Sequence, residues 1–299
     1  MCGIVGLFAK DAGIETELGA HLALMLASLS DRGPDSAGFA VYAPAVPGAV
    51  KLTLRAPEGF DFSELDAQLA PQLQGELSLT PRGTHAVLAV PVGQQERARM
   101  ALGELAPEIV IVGAGERMEL YKEVGRPERV VRQFQLEKMA GSHGIGHTRM
   151  ATESAVTTDG AHPYSTGPDQ CLVHNGSLSN HNAVRRDLRR LGYAFATEND
   201  TEVAAAYLSA RMAEGEPLDG ALRRSMQDLD GFFTFVVGTH SGFAVLRDPI
   251  ACKPAVMAET DRYVAFGTEY RALVDLPGIE QARVWEPEPA TVYSWDRRQ

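Results

Sequence analysis

The hydrophobic pattern opens with a strand, a helix and a second strand. Residues 3–9 (GIVGLFA) and 37–43 (AGFAVYA) are short apolar runs, which predict buried strands. Between them, residues 15–29 place leucines three or four positions apart, so that they share one face of a helix. This opening predicts a helix packed on the sheet that contains both strands.

The pattern changes over residues 57–138. A helix is predicted at 61–74 and a more polar one at 94–105, with apolar runs at 86–92 and 108–113. Helices that alternate with short apolar runs are typical of an α/β unit. We interpret this stretch as a small α/β insertion at the periphery of the main fold.

The second half of the chain groups strands with strands and helices with helices. Strands are predicted near 144–149 and 171–174, and helices at 179–191 and 200–213. Turn residues then separate four further apolar runs, at 232–238, 242–248, 255–259 and 262–267. Such grouping favours a layered α+β fold with antiparallel hairpins over a doubly wound parallel sheet.

Composition narrows the class of protein. The 299 residues are 44% hydrophobic and 22% charged, and no run approaches the roughly 18 apolar residues that span a bilayer. The N-terminus lacks the basic and apolar regions of a secretory signal. A net charge of −11 without a basic cluster argues against nucleic acid as a partner. We therefore expect a cytoplasmic protein that binds neither membrane nor nucleic acid.

Three cysteines, Cys2, Cys171 and Cys252, are odd in number and lack metal-ligand spacing. They predict reduced thiols, with no disulfide frame and no metal site. Gly113–Gly115 follows an apolar run, but Met118 stands where a dinucleotide fingerprint has its third glycine. We expect no cofactor in this chain.

Cys2 is the most informative position. Removal of Met1 would place a thiol and a free α-amino group on one residue, and both groups titrate close to neutrality. The amine could then accept the thiol proton, which makes a nucleophile. Alternatively, Cys2 is a small hydrophobic residue that begins a strand.

Other segments carry candidate polar groups. Arg149 could bind a carboxylate through its planar fork, or form an ordinary surface ion pair. Asn175 and Gly176 could form a turn, or an oxyanion hole built from a side-chain amide and a backbone N–H. Asp200 could cap the helix that follows it, or bind a substrate ammonium.

Taken in chain order, these segments resemble the class II glutamine amidotransferases, which use an N-terminal cysteine and have the N-terminal-nucleophile hydrolase fold. The matching motifs are MCGIVG, RGPDSAG, GHTRMAT, HNG and NDTE. Two longer segments resemble the stand-alone subunits related to glutamate synthase, including the first subunit of N-methylglutamate synthase. These are GHTRMATESAVTTDGAHPYS and RDPIACKPAVMAETDRYVAFGTE. The resemblance implies a four-layer αββα sandwich, with one amidotransferase domain over residues 2–299 interrupted at about 57–138.

The resemblance also implies the roles of the catalytic residues. Cys2 would be the nucleophile, with its own α-amino group as the general base. Asn175 and Gly176 would form the oxyanion hole. Arg32, in the RGPDSAG motif, would support the site near Cys2.

The same resemblance implies the substrate-binding residues. Arg149, with Thr152 beside it, would hold the α-carboxylate of glutamine, and Asp200 would hold the α-ammonium. Some members of the family have a histidine where this chain has Glu153, so Glu153 is assigned no role. The mechanism needs no histidine base, so the histidines beside these motifs are expected to be core or supporting residues.

The predicted function is that of a glutaminase subunit. It would hydrolyse L-glutamine to glutamate and ammonia through a γ-glutamyl thioester. The ammonia would pass to a separate subunit of the glutamate-synthase type, and any FMN and iron–sulfur cluster would belong to that partner. The alternatives are a glutamine-sensing regulatory module with little turnover, and an N-terminal-cysteine acylase that cleaves other amides.

Overall fold

The structure, a computed structural model, describes residues 2–151 and 155–297. Its strands are β1 (Gly3–Ala9), β2 (Ser36–Tyr42), β3 (Ala49–Arg55), β4 (Ser78–Arg82), β5 (His85–Pro91), β6 (Val110–Gly115), β7 (Met118–Val124), β8 (His143–Arg149), β9 (Tyr164–Gly167), β10 (Gln170–Leu178), β11 (Gly231–Gly238), β12 (Gly242–Arg247), β13 (Val256–Glu259), β14 (Tyr263–Gly267), β15 (Arg283–Trp285) and β16 (Thr291–Asp296). Its helices are α1 (Ala12–Ser28), α2 (Leu65–Leu69), α3 (Gln95–Leu105), α4 (Pro127–Phe134), α5 (His181–Arg190), α6 (Asp200–Ala213) and α7 (Leu218–Asp228). Over the described ranges, no helix is long and apolar enough to cross a membrane.

The larger sheet is antiparallel, in the order β15-β13-β14-β1-β8-β2-β7. Strand β1 lies in its interior, between β14 and β8. Gly3 is opposite Thr148 and Ile4 is opposite His147. The start of β1 and the end of β8 therefore lie side by side, at the same end of these two strands.

The second sheet packs face to face on the larger one. Its order is β16-β12-β11-β10-β9, and its neighbouring strands are also antiparallel. Ile4 and Ile145 of the larger sheet and Val173 and Phe243 of the second sheet belong to one buried cluster. Alternating apolar residues from the two sheets therefore form the central core.

Helices cover the outer face of each sheet. The leucines of α1, such as Leu18 and Leu22, are buried in one cluster with Leu7 of β1. On the opposite side, Leu208 of α6 is buried in a cluster with Phe235 of β11. The order helix, sheet, sheet, helix confirms the predicted α+β four-layer sandwich.

A third, small sheet has the order β4-β5-β3-β6. Helices α2 and α3 cover it, and its core includes Leu52, Leu54, Leu88 and Leu102. This cluster is separate from the cores of the sandwich. The small sheet therefore folds around hydrophobic residues of its own.

The small sheet differs in extent from the insertion predicted at 57–138. It begins earlier, because β3 supplies two of its core leucines. It ends earlier, at β6, because β7 pairs with β2 along its whole length and so belongs to the larger sheet. Because β3 and β7 contain charged residues, neither strand stands out as an apolar run in the sequence.

Candidate active site

Cys2 lies just before β1 and is partly exposed. The Arg32 guanidinium donates a hydrogen bond from Nε to the carbonyl oxygen of Cys2, at 3.0 Å. Arg32 also forms an ion pair with Glu269. Partial burial opposes ionisation of Glu269, but the bond from Arg32 holds the pKa of that carboxyl below its usual value. The backbone of Cys2 is thus held by a charged pair, while its thiol sulfur lies 3.8 Å from the carbonyl oxygen of Met150.

Asn175 approaches Cys2 from the second sheet. It lies in β10 and is buried, with 7% of its surface exposed. Its Nδ2 donates to the carbonyl oxygen of Cys2 at 3.4 Å and to Thr268 Oγ1 at 3.3 Å. The same hydroxyl accepts the backbone N–H of Ile4 at 2.8 Å. A carboxamide and a cysteine from different sheets therefore meet at one point.

Gly176 follows Asn175 and must be glycine. Its φ is +152°, and an added Cβ would lie 2.0 Å from the carbonyl oxygen of Phe232 and 2.7 Å from His174 Nε2. Any side chain would clash with the backbone of β11. Gly176 is exposed although Asn175 is buried, so this point of β10 is open to a ligand.

Arg149 ends β8 beside Cys2. Because Gly3 is opposite Thr148, the next position of the register brings Arg149 to the level of Cys2. The backbone N–H of Asp35 donates to the carbonyl oxygen of Arg149 at 3.1 Å. The loop that contains RGPDSAG therefore holds the end of the strand that carries this arginine.

Asp200 begins α6, but the helix cap is its neighbour. Asn199 accepts the backbone N–H of Thr201 through its side-chain oxygen, at 2.9 Å. Asp200 instead accepts the backbone N–H of Leu178 through Oδ2, at 2.9 Å. The capping alternative therefore applies to Asn199, and the Asp200 carboxylate, 23% exposed, faces the end of β10.

Several groups act on the Tyr164 hydroxyl, which lies 3.4 Å from Thr197 Oγ1. Burial raises the pKa of Tyr164, the hydrogen bond with Thr197 lowers it, and the charges of Glu202, Arg149 and Asp200 act in addition.

Three buried histidines lie behind the site. His162 Nε2 is 2.7 Å and His174 Nδ1 is 3.0 Å from Thr201 Oγ1. The rings of His147 and His162 are 4.1 Å apart. Burial lowers the pKa of His147 to about 3 and lowers the pKa values of the other two. These histidines are neutral near pH 7, and they support the backbone between the predicted oxyanion residue and Asp200.

Sequence reasoning did not find all of these residues. Thr268 and Glu269 follow directly after an apolar run, and Asn199 precedes a predicted helix; those positions were the available signals. Two positions named from the sequence, Thr152 and Glu153, lie outside the described residues. The other predicted site residues all lie at the ends of β1, β8 and β10 or in the elements that contact those ends.

An αββα sandwich of two antiparallel sheets is the fold of the N-terminal-nucleophile hydrolases. The structure is similar to the glutamine phosphoribosylpyrophosphate amidotransferase of B. subtilis, with a TM-score of 0.62 and 18% identity. The similarity covers 99% of this chain and 48% of that one. At this identity the likeness shows the fold alone.

Sequence comparison identifies the family. The glutamine amidotransferase domain family matches residues 147–275. The chain is 61% identical to the glutamine amidotransferase-like protein GlxB of Rhizobium meliloti (strain 1021), over 100% of this chain and 99% of that protein. It is 31% identical to a putative glutamine amidotransferase of Methanothermobacter thermautotrophicus, over 98% and 99%. The chain therefore belongs to the glutamine amidotransferases, and within them to class II.

Proposed function

We propose that this chain hydrolyses L-glutamine to glutamate and ammonia through a γ-glutamyl thioester on Cys2. One observation carries the proposal: the Asn175 carboxamide lies 3.4 Å from the carbonyl oxygen of Cys2, although the two residues come from different sheets. A nucleophile and an oxyanion donor must both contact one small amide. This arrangement supports acyl transfer at that point.

The chemistry at Cys2 requires removal of Met1. The freed α-amino group accepts the thiol proton, and the thiolate attacks the side-chain carbonyl of glutamine. The Asn175 carboxamide and the Gly176 N–H stabilise the tetrahedral oxyanion. The α-ammonium of Cys2 returns its proton to the departing nitrogen, which leaves as ammonia. Water then attacks the thioester, which releases glutamate and regenerates the free thiol.

Arg32 positions the nucleophile without contacting substrate. Its bond to the carbonyl oxygen of Cys2 fixes the backbone from which both the thiol and the amine extend. Glu269 in turn fixes the guanidinium. Reacting atoms must be aligned closely for an attack of this kind, so the pair acts through the orientation of Cys2.

Recognition of the amino-acid head group is assigned to the charged residues. Arg149 holds the α-carboxylate, and Asp200 holds the α-ammonium. The opposite charges of Arg149 and Asp200 select a zwitterion at one end of the site. The neutral donors of Asn175 and Gly176 stabilise the oxyanion at the other end. This division favours glutamine over simple amides, and so over a general acylase.

The ammonia is assigned to a separate synthase subunit of the glutamate-synthase type. This chain covers 99% of the length of each of the two relatives named above. FMN and an iron–sulfur cluster would belong to that partner. Affinity purification from the native cell tests the partner, since a flavoprotein synthase should co-purify and recovery of this chain alone would contradict the assignment.

The thioester itself can be tested directly. A diazoketone analogue of glutamine should alkylate Cys2, which peptide mass analysis would locate, and glutamine should protect the residue. Release of glutamate and ammonia should occur only in material that has lost Met1. If glutamine binds but is not hydrolysed, with or without a co-purified partner, the glutamine-sensing module becomes the better account.

A further inference from the structure

The strand β3 of the small sheet has two different faces. Leu52 and Leu54 point into the small core. The alternate residues point towards the sandwich and are polar: Lys51 pairs with Glu119 at 2.7 Å, and Arg55 pairs with Asp159 at 2.6 Å. A polar strand face that makes specific pairs fixes the orientation of the small sheet on the sandwich.

The two ion pairs reach different parts of the sandwich. Glu119 lies in β7, within the larger sheet. Asp159 lies instead in the segment 155–163 that leads into β9, which we call the β9-entry segment. Arg55 therefore ties the small sheet to this segment, whereas Lys51, on the same strand face, ties it to a regular strand.

Lys122 holds the β9-entry segment from the other side. It is buried, and its Nζ donates to the carbonyl oxygens of Asp159 at 3.1 Å and Ala161 at 2.9 Å. It also lies 4.5 Å from the centre of the Tyr164 ring. Burial lowers the pKa of Lys122 to about 8. The next residue, Glu123, accepts from Thr158 of the segment and from Thr84 of the small sheet.

The β9-entry segment leads to the neighbourhood of Asp200, one of the residues predicted to bind the substrate. It ends at His162 and Pro163, and His162 lies 2.7 Å from Thr201, the neighbour of Asp200. Tyr164, the next residue after the segment, packs against His162, with their ring centres 5.3 Å apart. A shift of the segment would therefore move the side chain that contacts Thr201, beside the predicted head-group ligand Asp200.

We propose that Arg55 and Lys122 are positioning residues for glutamine binding, and that the small sheet sets glutamine affinity through Arg55 and the β9-entry segment that both residues hold. The proposal rests on the proposed function only for the identity of the ligand. Neither residue lies at Cys2 or Asn175, so their effect should fall on KM and leave kcat unchanged.

The test compares Arg55→Met with Lys51→Met, which removes the neighbouring ion pair on the same strand face. Because the Arg55 pair is partly exposed, Arg55→Met should raise KM for glutamine by about two- to fivefold. Asp159→Asn should have the same effect, and the double variant should be no worse than either single change. Lys51→Met should leave KM unchanged. Equal KM effects of Arg55→Met and Lys51→Met, or no effect of Arg55→Met, would overturn the proposal.

Two further measurements separate this proposal from the glutaminase assignment. Glutamine affinity can be measured on a Cys2→Ala background, where turnover plays no part, and the Arg55→Met effect should persist there. Hydrogen exchange needs no ligand. Backbone amides of residues 155–161 should exchange faster in Arg55→Met than in the native chain, and at the native rate in Lys51→Met. Failure of wild-type turnover would contradict the proposed function, whereas unchanged exchange in that segment would contradict the positioning role.

Discussion

The two ends of the substrate site differ in the side chains that they present. At the nucleophile end, the uncharged side chains of Asn175 and Thr268 contact each other and the backbone of Cys2 and Ile4. At the head-group end, the charged side chains belong to Arg149, the last residue of the paired strand β8, and Asp200, the first residue of α6.

The difference follows from what each end must do. Bond formation requires that the reacting atoms are held within about 0.5 Å of the productive geometry. Recognition of a zwitterion depends on charge, which acts over longer distances and tolerates adjustment. We therefore expect changes at the nucleophile end to reduce kcat and changes at the head-group end to raise KM.

The largest effect is expected at Cys2. Cys2→Ala should abolish glutamine hydrolysis, and Cys2→Ser should nearly do so, because a hydroxyl is a much poorer nucleophile near neutral pH. Glutamine binding, measured by calorimetry, should survive both changes. Cys252→Ala is the control, since that thiol is exposed. Turnover by Cys2→Ala would remove the thiol from the mechanism.

A smaller effect is expected at Asn175. Loss of an oxyanion donor in Asn175→Ala should lower kcat by about 10²- to 10³-fold and change KM little. Thr268→Val should cost less, because it removes only the hydroxyl that accepts from the same amide. Steady-state kinetics of both variants test this order. An Asn175→Ala defect that lies wholly in KM would place the residue at the head-group end instead.

The head-group end should respond in KM. Arg149→Ala and Asp200→Ala should each raise KM for glutamine by at least about tenfold, since removal of one partner of a desolvated charge pair costs about 2–5 kcal/mol. A glutamine analogue without the α-amino group should bind poorly to the native chain and lose little more on Asp200→Ala.

The structure supplies a matched control for Asp200. Because Asn199 caps α6, Asn199→Ala should lower stability by about 1 kcal/mol while KM stays the same. KM and melting temperature are measured on both variants. If Asp200→Ala lowers the melting temperature but leaves KM unchanged, its carboxylate serves the helix and the backbone N–H of Leu178 only.

The nucleophile end was easier to anticipate from sequence than its surroundings. Apolar runs fixed β1, β8 and β10, and the motifs at their ends marked Cys2, Arg149 and Asn175. Thr268 was not anticipated, because a threonine after a strand has many ordinary roles. Only the fold shows that the ends of β14 and β10 meet across two sheets.

Polar elements account for most of what sequence did not show. Strand β7 reads MELYKEV, and its charged residues pair with the small sheet or with carbonyl oxygens, as Lys122 does. Hydrophobic periodicity detects burial of apolar side chains and misses buried polar pairs. The same reason explains why β3, which contains the buried Lys51, was not anticipated. Helix α4, PERVVRQF, buries apolar residues, so polarity does not explain why it was not anticipated.

The last effect, on stability rather than rate, concerns the histidines that lie between the two ends. Burial lowers the pKa of His147 to about 3 and lowers those of His162 and His174, although Asp200 opposes the shift at His174. A histidine titrates near 6.5 in the unfolded chain, so the unfolded chain binds more protons at mildly acidic pH. Stability should be fully present above about pH 6.5 and should decrease below it, by up to about 1.4 kcal/mol per pH unit for each histidine.

Melting temperatures from pH 7.5 to pH 5 measure this loss together with that from His85 and His143, whose pKa values burial also lowers to about 3. Kinetics over the same range compare the two ends. Because the histidines contact both the backbone of β10 and Thr201 beside Asp200, kcat and KM should deteriorate together as the structure loosens. His240→Gln, at an exposed histidine, should leave the profile unchanged. If KM rises on acidification while kcat and the melting temperature stay constant, the head-group end titrates alone, and the two ends are independent units rather than parts of one buried network.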